Sequence, residues 1–349
     1  MGQRPMDERR LSEIGEPGVI DRARRAAGRR RAPLILGIGD DAALISLPPG
    51  KMLSLTCDML IEGVHFRRDW SEARQVGSKA AAVNLSDIAA MGGTPAVALV
   101  SLAAPADLAV GWIDDFFEGL TTELLAFGCQ LAGGDTVGSP GPIVVDVTVA
   151  GFQETAARRQ GARPGDVLVL TGPVGGAAAG LALLEAGERW PGSDARVHGL
   201  LAAQLMPHPR VAESQVLVSY AHAMTDLSDG LLTSLELLTR PKGLGARIDQ
   251  EQIPMHPGLA VAAERLQRDP EDWMREGGEE YELLAAVAPR RVPALRRALE
   301  RQGYPIYPIG EVTSEPGLHW RRQGKEIRVE RGAFDHFDLG RQLEHPPRS

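Results

Sequence analysis

Six short acidic motifs punctuate the apolar runs of this 349-residue chain. They read GIGDDAAL (37–44), TCDMLIEGVHF (56–66), NLSDIAAMGG (84–93), AGGDTV (132–137), DLSDG (226–230) and GGEEYEL (277–283). All but NLSDIAAMGG set an acid within two residues of a glycine. Glycine lets the backbone turn sharply or approach a ligand closely, and carboxylates are hard oxygen ligands for Mg²⁺. A polyphosphate among bare aspartates is repelled, so cations must bridge them. The motif set therefore predicts phosphate chemistry supported by several Mg²⁺ ions.

The length allows two domains with substantial cores. The only lysines are Lys51, Lys79, Lys242 and Lys325, and none follows a GxxxxG loop. That excludes a P-loop nucleotide site. A net charge of −8 argues against a nucleic-acid surface. The arginines between Arg22 and Arg31 read as a solvated helix face and loop. Cys57 and Cys129 make neither a disulfide framework nor a zinc site. No run of about eighteen apolar residues is present, and no apolar run follows the charged N-terminal segment. A cytoplasmic setting is the expectation.

Alternating strands and helices in both halves predict an α+β or α/β architecture. Helical pieces are expected over 7–14 and 17–27, separated at Gly15, with Pro17 in a first turn. LILGIGDDAALISL reads as strand, turn and strand, and the segment from Lys51 as another strand with Asp58 near its end. The alanine-rich stretch 78–91 predicts a helix stopped by Gly92-Gly93. A strand over 95–102, a helix over 108–127 and a β segment over 142–151 complete the first half. GARPGDVLVLTG opens a second unit through a short β run followed by a small-residue loop, PVGGAAAG. The boundary is placed near 153–162, giving domains 1–152 and 153–349. Farther on, GGEEYELLAAV reads as a strand and 290–302 as an amphipathic helix. Leu-Ser-Asp occurs at 85–87 and 227–229, a match too short to decide between a repeat and chance.

Each acid has a plain structural reading beside a ligand reading. Neighbouring Asp40 and Asp41 cannot both serve one ion from regular β structure, so a turn must present one of them, and a bare Asx-turn is the alternative. Asp87 sits in a helix where Asp is a poor former and near a C-terminus where its charge is disfavoured, with Asn84 on the same face. A compensating cation explains that placement; solvent exposure or an arginine partner is the alternative. Asp135, after Gly133-Gly134, is expected on a close-approach loop. Asp226 and Asp229 bracket Ser228 and could simply cap the following helix. His65 reads as a packed histidine, as a contact to a substrate phosphate or as a proton shuttle.

Taken together, GIGDD, GVHF, AVNLSDIAAMG, GGDT, LSDGL and GGEEYEL, with AFDHF at 333–337, closely resemble the thiamine-monophosphate kinase family. That family belongs with aminoimidazole ribonucleotide synthetase, selenophosphate synthetase and the hydrogenase-maturation carbamoyl dehydratase. The resemblance runs from about Leu36 to Phe337. It implies an N-terminal α+β domain whose sheet pairs across a homodimer and a C-terminal α/β domain. It implies Mg²⁺-dependent transfer of phosphate from ATP to thiamine monophosphate, the last step to thiamine diphosphate. By residue match Asp41, Thr56, Asp58, Asp87, Asp135, Asp226 and Asp229 are metal-linked, with Cys57 contributing only a backbone carbonyl, since a thiol is a poor Mg²⁺ ligand. The match also implies that Gly134, Asp135, Arg159, Ser228 and Phe117 lie at ATP. Thiamine phosphate falls to His65, Glu279 and Phe334, the last by aromatic stacking. Asp41, Asp58, Asp87, Asp135 and His65 form the expected catalytic set. Cys57 replaces the family's usual hydroxyl residue, and Phe334 stands where tyrosine or tryptophan is common. No lysine and reactive cysteine stand before Gly37, unlike selenophosphate synthetase, and no C-terminal cysteine matches the hydrogenase-maturation protein. A nucleotide-binding regulator without catalysis is the reading from another class, and the intact acid set weighs against it.

Overall fold

Two sheets organise the chain in the computed structural model, which describes residues 7–327 and 329. Helix α1 (Leu11–Ala27) is continuous except at Gly15, whose φ of 60° breaks its run just before Pro17. Strands β1 (Leu34–Leu36) and β2 (Leu44–Ile45) form a small antiparallel pair, and the loop between them carries Asp40 and Asp41.

The first sheet has the order β3-β6-β4-β5. It comprises β3 (Met52–Ile61), β4 (Thr94–Ala104), β5 (Gln130–Gly138) and β6 (Val144–Gln153). Its inner face packs on α2 (Ala73–Ala90) and α3 (Val110–Ala126). Helix α2 begins five residues before the expected Ser78 and ends at the anticipated glycines, where Gly93 N–H donates to the Ile88 carbonyl at 2.9 Å. The two helices touch backbone to backbone. A Cβ on Gly77 would lie 2.1 Å from the Phe116 carbonyl, and one on Gly119 would lie 1.9 Å from that of Arg74. Only glycine permits this approach, and it leaves α2 buried nearly all round.

The second sheet has the order β13-β12-β9-β11-β7-β10-β8. In chain order its region contains β7 (Val167–Leu170), α4 (Gly176–Glu185), α5 (Ala195–Leu205), α6 (Val211–Leu217), β8 (Ala221–Asp226) and α7 (Leu231–Thr239). There follow β9 (Gly245–Asp249), α8 (Leu259–Leu266), α9 (Pro270–Glu276), β10 (Leu283–Val287), α10 (Val292–Glu300), β11 (Tyr307–Thr313), β12 (Gly317–Arg322) and β13 (Lys325–Ile327). Its ladders are antiparallel except β9 with β12. One apolar core runs from α2 and α3 through to Val169, Met224, Leu283 and Ala285 of this sheet. Helix α2 thereby touches both sheets.

Three local expectations change. AGGDTV is strand β5, not a loop, because its residues pair with β4 through Ser101 opposite Asp135. The glycines of PVGGAAAG begin α4 and do not form a loop. GGEEYE precedes its strand, which starts at Leu283. The two Leu-Ser-Asp segments are not structural equivalents, since one lies in α2 and the other in the loop before α7.

Candidate active site

Helix α2 places three polar side chains against three different neighbours. Asn84 Oδ1 accepts the Asp58 backbone N–H at 3.0 Å, and its own amide donates to the Ala80 carbonyl. The Thr56 hydroxyl donates to Asp87. Ser86 Oγ donates to Asp226 Oδ2 at 2.8 Å, reaching from the first sheet's helix to strand β8. Strand alternation sends Thr56 and Asp58 to the inner side of β3, beside α2. Half-buried Asp58 and Asp87 and buried Asp226 thus lie together, with exposed Asp229 close enough for its charge to act on Asp58 and Asp87.

Their charges are mutually costly. Burial, then the charges of Asp87, Asp146 and Asp229, push Asp58 from 3.8 up to about 6. Burial first, and Asp87 and Asp58 after it, push Asp226 up to about 7 against the opposing Ser86 bond and Arg159. Asp87 is also raised, by burial above all, while Thr56 and Arg159 act the other way. Arg159 is held by its Nε bond to Thr225 Oγ1 at 3.2 Å. The Asp226 Oδ1 atom is buried and has no hydrogen-bond partner. Repelling carboxylates with an orphaned oxygen fit a hard divalent cation, which satisfies such oxygens and reverses the repulsion. Among the described residues no three such side chains already converge as a formed metal site.

The last two motifs bind each other through the backbone. Glu279 N–H donates to the Ser228 carbonyl at 2.7 Å, and the Glu280 and Tyr281 N–H groups both reach Leu227. Helix α7 is preceded by Gly230 without a side-chain cap, so Asp226, Ser228 and Asp229 do not cap it. The glutamates of GGEEYEL are matched to protein groups instead of being left for metal. Glu279 pairs with Lys79 and Gln204. Glu280 Oε1 accepts the Gly175 and Ala177 N–H groups at 2.8 and 3.2 Å, and burial still raises its carboxyl to about 8. Glu282 pairs with Arg210 and accepts the Thr171 hydroxyl at 2.6 Å.

Other expected site residues lie elsewhere. Asp135 faces outward from β5, on the side of the sheet opposite Asp58, because its partner Ser101 is exposed. Gly134 beside it adopts φ 149°, and a Cβ there would sit 1.8 Å from the Val100 carbonyl. Asp41 is exposed, and its N–H donates to Asp40 Oδ1 at 2.9 Å, the local turn geometry set against the ligand reading. The Cys57 thiol points outward and donates to Asp146 at 3.1 Å. A Thr148 bond favours the thiolate, but Asp146, burial and Asp58 outweigh it and raise the thiol. Phe117, expected at ATP, is 2% exposed and packs edge-on against Phe116 in the core. Its place on an apolar face of α3 is the signal that argued for core. Phe334 lies outside the described residues. His65 Nδ1 accepts the Ile61 N–H at 3.0 Å, and the ring lines a cleft with Phe66, Trp70, Lys79, Gln204 and Glu279. Asp146, Lys79 and Gln204 were missed in the sequence, since none lies in an acid–glycine motif.

Residues 39–153 match the family model described as AIR synthase related protein, N-terminal domain, and 163–321 match its C-terminal counterpart. The thiamine-monophosphate kinase of Escherichia coli strain K12 is 37% identical over 329 residues, covering 93% of this chain and 98% of that protein. The chain belongs to the thiamine-monophosphate kinase family. The Bacillus subtilis thiamine-monophosphate kinase is 32% identical, covering 86% of this chain and 93% of that one. The crystal structure of the family member from Stenotrophomonas maltophilia superposes with TM-score 0.79 at 34% identity, over 88% of this chain and 96% of its own. The AaThiL complex with AMPPCP and TMP gives TM-score 0.75 at 32% identity, over 94% and 99%. HypE of E. coli, a hydrogenase maturation protein, shares the fold at TM-score 0.73 with 17% identity, over 91% of this chain and 97% of its own.

Proposed function

We propose that this protein transfers the γ-phosphoryl group of ATP to the phosphate of thiamine monophosphate, forming thiamine diphosphate and ADP. The buried oxygen cluster of Asp58, Asp87 and Asp226, with its unpartnered Asp226 Oδ1, carries the reading. Family membership and a relative captured with AMPPCP and TMP support it. Asp58, Asp87, Asp226 and Asp229, with the Thr56 hydroxyl, hold Mg²⁺. Asp41 on the β1–β2 loop and Asp135 on the outer face would hold Mg²⁺ apart from that cluster. When bound, Mg²⁺ neutralises phosphate charge and so lowers the repulsion between donor and acceptor.

The chain's own groups then have separable tasks. Gly134 permits close backbone approach at ATP, Arg159 and Ser228 contact its phosphates, and Asn84 and Ser86 fix the orientation of β3 and Asp226. His65, whose Nδ1 accepts the Ile61 N–H, contacts the acceptor phosphate. Glu279 faces the thiamine part. An acceptor oxygen attacks the γ-phosphorus as the bond to the β–γ bridging oxygen breaks. The acceptor monoester is already ionised near neutral pH, so transfer is direct, in line and without a phosphoenzyme.

The working unit is a homodimer. Leu53, Leu55 and Met59 are exposed along edge strand β3, with Leu99 on the same outward face, and an uncovered apolar sheet edge calls for a partner strand. Residues 1–152 form the nucleotide, metal and dimer unit, and 153–349 complete the site.

Mass-spectrometric detection of thiamine diphosphate from ATP and thiamine monophosphate tests this, with free thiamine as control. The expected result is Mg²⁺-dependent product from the monophosphate and far less turnover of thiamine. ADP release without thiamine diphosphate, or equal use of thiamine, contradicts it.

A further inference from the structure

Lys79 is one of four lysines in an arginine-rich chain, and it is the one sealed inside α2, with its side chain 4% exposed. Its ammonium lies 2.7 Å from Glu279 Oε1, while Gln204 Nε2 donates to Glu279 Oε2 at 2.7 Å. Lys79 also reaches the His65 carbonyl at 3.4 Å. Both oxygens of one carboxylate are thereby gripped from α2 and α5. The Glu279 side chain is 26% exposed, so it is the member of the group that opens onto the cleft beside His65 and Trp70.

We infer that Lys79 is a positioning residue for thiamine monophosphate, acting through Glu279, whose carboxylate it and Gln204 hold in one orientation at the acceptor cleft. The inference rests on the proposed kinase reading and deepens it at the acceptor subsite.

Three observations carry it. Lys79 and Ser86 are two turns apart on one face of α2, and each makes a contact with the second sheet's region, Lys79 to Glu279 in the segment before β10 and Ser86 to Asp226 at the end of β8. One helix therefore sets the acceptor carboxylate and the metal-facing acid in common register. Glu279 itself has φ 61°, a region a non-glycine residue occupies only when its surroundings impose it, and its N–H is tied to Ser228. Finally, Lys79, Gln204 and nearby His65 hold the Glu279 carboxylate ionised although burial opposes it. Each oxygen keeps a free lone-pair direction, which suits the amino hydrogens and ring cation of thiamine. The Lys79 side chain is 4% exposed and its ammonium is engaged by Glu279 and the His65 carbonyl, so its effect passes through Glu279.

The test is steady-state kinetics with thiamine monophosphate and ATP varied separately, on wild type, Lys79→Met, Lys79→Arg, Glu279→Gln and the double variant Lys79→Met/Glu279→Gln. Lys79→Met is expected to raise KM for thiamine monophosphate by about tenfold or more while KM for ATP stays within about twofold. Lys79→Arg is expected to recover part of the loss. In the Glu279→Gln background, removing Lys79 adds less than about a twofold change, because the two residues act as one unit. The double variant removes both charges together, so comparing it with Glu279→Gln keeps the test available where Lys79→Met does not fold. An unchanged KM for thiamine monophosphate in folded Lys79→Met, equal losses for both substrates, or additive effects in the double variant overturn the inference and leave the kinase reading standing. Absence of thiamine diphosphate with the wild-type protein overturns the kinase reading itself.

Discussion

Replacing Asp226 by asparagine is expected to stabilise the metal-free protein above neutral pH while disabling turnover. The amide oxygen of asparagine can still accept the Ser86 hydroxyl, which donates to Asp226 at 2.8 Å, so the packing is kept and the charge is removed. In the folded chain Asp226 is raised from 3.8 to about 7. Between those values the unfolded chain has released this proton and the folded chain still holds it. Wild-type stability therefore falls as pH rises from about 4 to about 7 and stays low above, a full loss of about 4 kcal/mol. Asp58 and Asp87 share the repulsion, so the gain from the asparagine is about 2–4 kcal/mol at high pH.

Urea denaturation in chelator at about pH 5 and about pH 8 measures it, and the gap between variant and wild type is expected to widen by about 2–3 kcal/mol. Adding Mg²⁺ at the higher pH is expected to stabilise wild type more than the variant, since a ligand that binds only the folded state stabilises it. A variant that is less stable than wild type at high pH, or that shows the same pH slope, refutes the reasoning.

Gly134→Ala is expected to cost about 3 kcal/mol or more, because its Cβ would lie 1.8 Å from a backbone carbonyl that cannot move aside; an unchanged melting temperature contradicts this. Arg210→Met leaves Glu282, whose side chain is 4% exposed, without its cation. The expected loss is about 3 kcal/mol, at the low end for a buried pair because Arg210 is itself a quarter exposed, and chemical denaturation checks it. Leu55→Glu, at a position 66% exposed on β3, is expected to yield monomer where wild type gives dimer in light scattering; dimers of equal stability contradict the proposed interface.

Strands and helices with strong periodicity or glycine stops were legible: β3, α2, α3 and α10 form where pattern and propensity place them, within a few residues. β5 was not, because Gly133-Gly134 resembles a turn and its strand character comes from pairing with β4. The start of α4 was hidden for a related reason, since glycines at a helix start look like loop. In the site, Asp87 was readable as an acid in a costly position, whereas Asp58 and Asp226 entered through the motif resemblance. The partition of the acid set was not, because Asp135 and Cys57 are turned to the other face of the sheet by strand alternation, which depends on register. The GGEEYEL glutamates carried an acidic signature and found protein partners 72 or more residues away, beyond any local pattern. Phe117 illustrates the converse, an aromatic that helical packing assigns to the core.

The account stands on buried acids acting through Mg²⁺. Its most direct test is the Mg²⁺ dependence of thiamine diphosphate formation by Asp87→Asn beside wild type, with circular dichroism to establish that both are folded. The expected result is a folded variant whose turnover is about a hundredfold lower or worse at limiting Mg²⁺. Wild-type turnover by folded Asp87→Asn at limiting Mg²⁺ would contradict the account, leaving Asp87 as no more than the acceptor of the Thr56 hydroxyl.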